Sequence, residues 1–354
     1  MWFGLDMPEL LTPKDDIKWS KALEGLEYDL YHTADYLHLY EANGDGEAFG
    51  FLFQSDAGVG FYPYLRRPIE GFKVEGYYDI ITPYGYGGPL FSKDLPELKT
   101  AFFREFLAFA LKERYVAEFI RFDPLLGNEA GLSGFLEVEP IRRTVCMDLT
   151  KTPEEIFQDI TSKNRNMIRK AEKSGVEIVE SPDCEDIEAF IDLYYETMDK
   201  NEAGPYYYFS RDYFNLKKML LGDRLKLFVA KYENQIIAGA LFMVGPKHLH
   251  YDLAGSKRTY LSLAPNNLLL YRVALWGREQ GLSAFHLGGG HKGEDDSLFK
   301  FKKAFTHENL LDFAVGRGIL NPEIYTALCI EWLERHPGQE AQLQSGFFPA
   351  YRQA

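Results

Sequence analysis

The chain has 354 residues, 46% of them hydrophobic and 15% aromatic, with a formal net charge of −14. This is apolar material for two cores rather than one, and nothing in it reads as low-complexity or disordered. The acidic balance opposes nucleic acid and anionic membrane at long range, and Cys146, Cys184 and Cys329, with no C-x-x-C pair among them, exclude a disulfide framework or a zinc ribbon.

At the N-terminus, MWFGLDMPELLTPKDD carries acids where a signal peptide needs a basic start and an apolar core. No apolar run approaches the length of a membrane-spanning helix. A cytoplasmic protein without an integral membrane segment and without a DNA partner is expected.

Residues 47–67, EAFGFLFQSDAGVGFYPYLRR, predict two strands joined at Asp56-Ala57-Gly58. Residues 96–115 repeat apolar positions at helical spacing, and AEFIRFDP (117–124) predicts a strand ending at Pro124. The second half repeats this order. Residues 225–244 form a hairpin turning at Glu233-Asn234, and KHLHYDLAGS (247–256) is a strand. Residues 266–281 are a helix stopped by Gly281, and LSAFHLGGG (282–290) is the next strand. Hairpin, glycine-containing turn, helix and strand thus occur twice, near 47–127 and near 225–290. YYDIITPYGYGGPLF in the first copy occupies the place of HLHYDLAGSKRTYLSLAP in the second. A diverged duplication follows, with a boundary near 136–150 and domains at 1–140 and 141–354. Thr152-Pro153-Glu154-Glu155 then opens a helix with a capping box, and the helical pattern runs, with room for a break, to Gly175.

GGGHKG (288–293) is superficially like a dinucleotide fingerprint, but no βαβ unit follows it and no P-loop string is present. Its glycines, Gly288 and Gly289 among them, allow close approach of a ligand to the backbone or simply a flexible turn. The helix that follows is capped by Asp295, Asp296 or Ser297. Stepping 100° per residue places Phe301, Lys302 and Phe305 within about 60° of Leu298, with Lys300 and Lys303 pointing away. Lys302 therefore lies on the apolar face, either as a snorkelling stem or as a cation kept for an anionic substrate group.

Residues 161–175 carry five basic side chains and one acid. Ile160, Met167, Ile168 and Ala171, with Asn164 among them, form the buried stripe. Arg165 and Arg169 stack on the outer face, and with Lys163 they offer either a solvated surface or a phosphate-binding one. In 247–253 strand alternation puts His248, His250 and Asp252 on one face and Leu249, Tyr251 and Leu253 on the other. The first face suits a metal ion or, as the simpler expectation, a solvated strand edge. Tyr251 is a core or pocket residue, and His286 is a candidate base. Residues 196–210, ETMDKNEAGPYYYFS, with Asp199, Asn201 and Tyr207, form a loop suited to stacking on a sugar or peptide while its acids meet an amine, or an aromatic-packed loop without that role.

SKNRNMIRKA (162–171), YETMDKNEAGPYYYFSRDYF (195–214), LHYDLAGS, APNNLLLYRVALWGREQG, FHLGGG, LFKFKKAF and FFPAYR (347–352), in this order, resemble FemAB-type proteins of the GNAT acyltransferase superfamily. YGYGGPLF and RFDPLL in the first half are similar to the same group. The resemblance implies an α/β fold of tandem GNAT-like (acyl-CoA N-acyltransferase) domains, with mixed sheets flanked by helices. It also implies an acyltransferase that moves an acyl or aminoacyl group to an amine of a peptidoglycan, polysaccharide or other cell-envelope precursor, small or lipid-linked. Phe301-Lys302 matches a substrate-contacting Phe-Lys pair in that family, and Tyr251 a substrate-contacting tyrosine. There is no coiled-coil insertion of the kind some members use to hold tRNA. SLAPNNLLLYR stands where CoA-dependent members carry a Q/R-x-x-G-x-G/A loop. No tightly bound cofactor is expected, and the donor stays open between aminoacyl-tRNA, which would make tRNA a partner, and acyl-CoA. The alternative of another class is a non-catalytic protein that binds an envelope precursor on a degenerate GNAT scaffold.

Overall fold

The computed structural model describes residues 8–290, 296–307, 309–343 and 346–353. Residues 1–7 of the N-terminal stretch read above, Asp295 as a cap, and residues 291–293 of GGGHKG fall outside them. The chain divides into two compact units, residues 1–141 with 313–354, and residues 142–312. Among the described residues no helix is long and apolar enough to cross a membrane.

In the first unit, β1 (Glu9–Leu11), α1 (Asp16–Leu23) and α2 (Ala34–Ala42) precede the expected hairpin, β2 (Glu47–Ser55) and β3 (Gly58–Pro68). Then come β4 (Tyr78–Ile81), β5 (Leu90–Phe91), α3 (Pro96–Lys112) and β6 (Tyr115–Arg121). β7 (Glu137–Asp148) crosses into the second unit, which continues with α4 (Pro153–Asp159), α5 (Ser162–Lys173), β8 (Glu177–Ser181), α6 (Ile187–Lys200) and α7 (Arg211–Leu221). β9 (Leu225–Tyr232), β10 (Gln235–Val244), β11 (His248–Ser256), α8 (Pro265–Glu279), β12 (Ala284–Gly288) and α9 (Ser297–Lys303) complete it. β13 (Leu310–Ile319) returns the chain to the first unit, where α10 (Pro322–Arg335) and α11 (Glu340–Leu343) lie.

The strand order is β1-β2-β3-β4-β6-β13 in the first unit, with β5 beside β3, and β7-β12-β11-β10-β9-β8 in the second. The duplication is real at the level of topology. β3 and β4 are antiparallel and β4 and β6 parallel, just as β10 and β11 are antiparallel and β11 and β12 parallel. An antiparallel strand closes each series: β13 on β6 and β7 on β12. This explains why residues 313–354, expected with the C-terminal domain, belong to the first unit. β6 would otherwise be an open edge, and Val315–Ile319 pair with Ala117–Arg121.

Local chemistry accounts for the elements. The Thr152 side chain accepts from the Glu155 N–H while the Glu155 carboxylate accepts from the Thr152 N–H, so the expected capping box opens α4. The expected break falls at Ile160–Thr161, and α5 ends before Gly175, whose φ is +81°. Glu233 and Asn234 both have positive φ, the geometry that turns β9 into β10 without splaying the pair. In the second unit Val145, Ile168, Phe242, Leu249, Leu268 and Phe299 are fully buried in one core, on the sheet face covered by α4, α5, α8 and α9. The other face is covered by α6 and α7. Gly239 lies beside Phe190 of α6, and Phe190 meets Phe214 of α7 edge-on at 6.0 Å. In the first unit α3 packs Leu98, Phe102 and Phe106 on Phe51 and Tyr62, and α10 adds Leu328 and Trp332 against Ile69 and Tyr351.

Candidate active site

In the second unit β12 runs beside β11 only from His248↔Ala284 to His250↔His286. β11 continues to Ser256 with β10 on its other side, so the two parallel strands part after His250. A second feature begins there. Phe242↔Tyr251 and Ala240↔Ala254 place three steps of β11 against two of β10, a bulge containing Asp252 and Leu253. Backbone N–H and C=O groups along this parting lack a neighbouring strand on the β12 side among the described pairs.

Three segments meet at the parting. Tyr251, the first residue past the last β11–β12 pair, stacks on Phe242 with ring centroids 5.7 Å apart. Gly288 ends β12 with φ +74°, a conformation that needs glycine, and Gly289 follows. From α9, the Lys302 ammonium lies 5.5 Å from the Tyr251 ring centroid and donates to the Gly289 carbonyl at 2.8 Å. Asp296 caps α9 by accepting from the Phe299 N–H at 2.7 Å. Phe299 and Phe305 are buried and Phe301 packs on Phe305 at 5.4 Å, while Lys300 and Lys303 are exposed, as the helical wheel predicts. The wheel is off by about one position in its centre, since Phe299 rather than Leu298 is the residue in the core.

Lys302 is only 8% exposed. Burial lowers its pKa to about 8, against which the Asp296 carboxylate pulls upward. Burial pushes the Tyr251 phenol well above its ordinary value, so it keeps its proton at neutral pH. The site thus holds a cation with a moderated pKa, a phenol that keeps its proton to donate, and a strand edge rich in oriented backbone groups.

The other expected residues separate into three places. His286 pairs in register with His250 and shares its face, opposite Tyr251; its Nε2 lies 2.9 Å from the Thr144 hydroxyl, and its ring is edge-on to His250. His248 and His250 are buried, not a solvated edge, because β11 lies between β10 and β12. Asp252 turns to Lys217 of α7. On α5, the Arg165 guanidinium donates to the Gln158 and Ile160 carbonyls at 2.8 Å, closing the end of α4. Arg169 lies over the Phe157 ring at 5.1 Å, and Lys163 is exposed. At the end of α6, Asp199 accepts from the Tyr208 hydroxyl at 2.9 Å, Asn201 is the C-terminal cap, and the Tyr207 carbonyl accepts from Tyr194 at 2.6 Å. This cluster reaches β11 further along, where the Ser256 N–H donates to Thr197 at 3.0 Å. None of its described contacts reaches Lys302 or Tyr251.

Sequence reading passed over Lys217, although the spacing of Tyr213, Phe214, Lys217 and Leu221 puts it on the buried face of α7. It also passed over Asn267, which bonds the buried Asn164 and joins α8 to α5. The same wheel that singled out Lys302 would have found Lys217.

The first unit treats the equivalent gap differently. Thr82 donates its N–H to Phe119 at 3.1 Å, the Arg121 N–H donates to the Thr82 hydroxyl at 3.0 Å, and Gly87 bridges to Phe122. Asn128 holds the Gly87 carbonyl at 2.9 Å. The YGYGG segment therefore fills the space between β4 and β6 that stays open between β11 and β12.

Residues 161–303, which include Tyr251 and Lys302, match the model of the acetyltransferase (GNAT) domain. Among curated proteins no match to the chain is found. Among solved structures the chain is similar to FemX at 17% identity, covering 90% of this chain and 98% of that one, with a TM-score of 0.70. It is similar to the C-terminal domain of a putative lysylphosphatidylglycerol synthetase from Agrobacterium fabrum at 17% identity, with 90% and 96% covered and a TM-score of 0.53. A conserved protein of unknown function from Bacteroides thetaiotaomicron is similar at 14% identity, with 88% and 99% covered and a TM-score of 0.53. At these identities the likeness is one of fold.

Proposed function

From the fold it shares with FemX and the GNAT-domain match over residues 161–303, we propose that the second unit of this chain is an acyltransferase of FemAB-like type, carrying an acyl or aminoacyl group to an amine of a cell-envelope precursor. The observation that carries this reading is the buried Lys302 ammonium, held by Gly289 over Tyr251 at the point where β11 and β12 part.

The pantetheine arm of an acyl-CoA donor, with its two amides, would lie along the open edge of β11, since amide groups satisfy such an edge by main-chain-like hydrogen bonds, while an aminoacyl-tRNA would bring its ester carbonyl to the same point. The acceptor amine, neutral, would add its lone pair to the donor carbonyl carbon. The carbonyl oxygen becomes an oxyanion, for which backbone N–H groups of the parted edge and the Lys302 cation are the stabilisers. The carbon–sulfur or carbon–oxygen bond to the leaving group then breaks, and the amine's proton ends on that sulfur or oxygen. Tyr251, a phenol that stays protonated, is suited to deliver a proton to the leaving atom. The Asp199–Tyr207 segment is a candidate acceptor surface, and Lys163 with Arg169 a candidate surface for the phosphates of the donor or precursor. His286, on the far face of the sheet, stays outside this scheme.

The donor is tested by calorimetric titration with acetyl-CoA and, separately, a mixed aminoacyl-tRNA pool at two salt concentrations. Micromolar binding of acetyl-CoA selects a small-acyl donor, and salt-sensitive binding of tRNA without CoA heat selects aminoacyl transfer. Binding of a precursor with transfer from neither donor would replace this reading with the non-catalytic one.

A further inference from the structure

Lys217 sits wholly buried on α7, and its ammonium forms an ion pair with Asp252, the residue inside the β11 bulge. The Tyr213 ring of the same helix lies 5.6 Å from the ammonium. A lone buried charge is strongly unfavourable, so Lys217 requires a carboxylate at this position, and Asp252, inside the bulge, supplies it.

The bulge has a second consequence. It shifts the strand's alternation, so Gly255 pairs with Gly239 and faces α6, where an added Cβ would sit 2.4 Å from the Leu193 carbonyl carbon. Without the extra residue a different side chain would be driven into that backbone. Tyr251 stands immediately before the bulge and Gly255 just after it. The segment between them is thus fixed at its far end by close packing on α6 and in its middle by the tie to α7.

We propose that Lys217 and Asp252 are positioning residues for acyl transfer: from the sheet face opposite Lys302, their ion pair holds the bulge that aims Tyr251 and the open strand edge beyond it. The catalytic consequence rests on the acyltransferase reading above; the mechanical tie does not. Neither side chain touches a reacting atom.

The test replaces both partners, Lys217→Met with Asp252→Leu, because an apolar pair of similar volume removes the tie without leaving an unpaired buried charge. A neutral hydrogen-bonding pair, Lys217→Gln with Asp252→Asn, is the second version should the first not fold. Amide hydrogen exchange is read over Tyr251–Ser256, and kcat and KM are read with acetyl-CoA and with a mixed aminoacyl-tRNA pool as donors to a lysine-bearing peptidoglycan precursor peptide. Exchange in this segment is expected to quicken by about tenfold or more while the rest of the core keeps its protection. Turnover is expected to fall by about 10- to 100-fold with KM nearly unchanged, the signature of misplaced rather than missing groups. Unchanged exchange in the folded double variant overturns the tie, and quickened exchange with unchanged kcat overturns its role in transfer. Should the wild-type protein transfer from neither donor, the acyltransferase reading fails, while the exchange data still decide the tie.

Discussion

The Lys302 ammonium sits 5.5 Å from the centre of the Tyr251 ring and donates to the Gly289 carbonyl. The two side chains come from α9 and β11, some fifty residues apart, and meet where β12 stops covering β11. Burial acts on both in ways that suit acyl transfer. It leaves the lysine mostly charged at neutral pH but close to losing its proton, and it keeps the tyrosine protonated.

This predicts a definite pH dependence at Lys302. Its folded value, about 8, lies below the ordinary 10.5, so folding disfavours the charged form. That burden is complete below pH 8 and is relieved between 8 and 10.5, where the folded state gives up its proton before the unfolded chain does. Lys302→Met should therefore stabilise the protein at pH 7, by about 3 kcal/mol, with the difference fading toward pH 10. Denaturant melts of both proteins at the two pH values check this. Equal destabilisation at both would contradict it. Transfer that depends on the cation should decline as pH rises through about 8.

Tyr251→Phe keeps the ring that stacks on Phe242 and supports Lys302 but removes the proton donor. Turnover should fall by about 10²-fold or more, within the range for general acid catalysis, with little change in stability. Steady-state kinetics beside a thermal melt separate the two. Wild-type turnover would confine Tyr251 to packing.

The first unit carries its own titrating group. Glu118 is buried beneath Tyr62, whose hydroxyl donates to it at 3.3 Å, and burial raises its carboxyl to about 7 from an ordinary 4.5. Here too the charged form is disfavoured by folding, so this group's contribution falls as pH rises from 4.5 to 7 and is flat above. Glu118→Gln should be more stable than wild type at pH 8, by about 3 kcal/mol, and no more stable at pH 4.5. Paired melts at these pH values decide the matter, and a loss of stability of the same size at both would contradict the assignment.

Patterns that repeat locally were legible. The duplicated order of elements, the Thr152 capping box, the Glu233-Asn234 turn and the apolar side of α9 all follow from spacing over a few residues. Lys302 stood out because a lysine among phenylalanines at helical spacing breaks an otherwise apolar face. What depended on distant partners did not show. The return of residues 313–354 to the first unit is decided by the open edge of β6, and no local signal announces it. Uniform alternation along β11 placed Asp252 with His248 and His250, which is the right face, but gave no hint of the bulge or of Lys217 waiting on α7. Alternation also hid the separation of Tyr251 from His286. Only the parallel register His250↔His286 shows that the two rings lie on opposite sides of the sheet. Arg165 read as a surface cation, and it is instead committed to the carbonyls that end α4.

The central claim is that the second unit transfers an acyl group with Lys302 at the reacting centre. The measurement that meets it most directly is the single-turnover rate of transfer, at pH 7, by wild type and by Lys302→Ala, with radiolabelled acetyl-CoA and a labelled aminoacyl-tRNA pool as donors to a lysine-bearing peptidoglycan precursor peptide. The account predicts transfer from one of the two donors by wild type, and a rate about 10²- to 10³-fold lower in a folded Lys302→Ala protein. Transfer at the same rate by both proteins would contradict it.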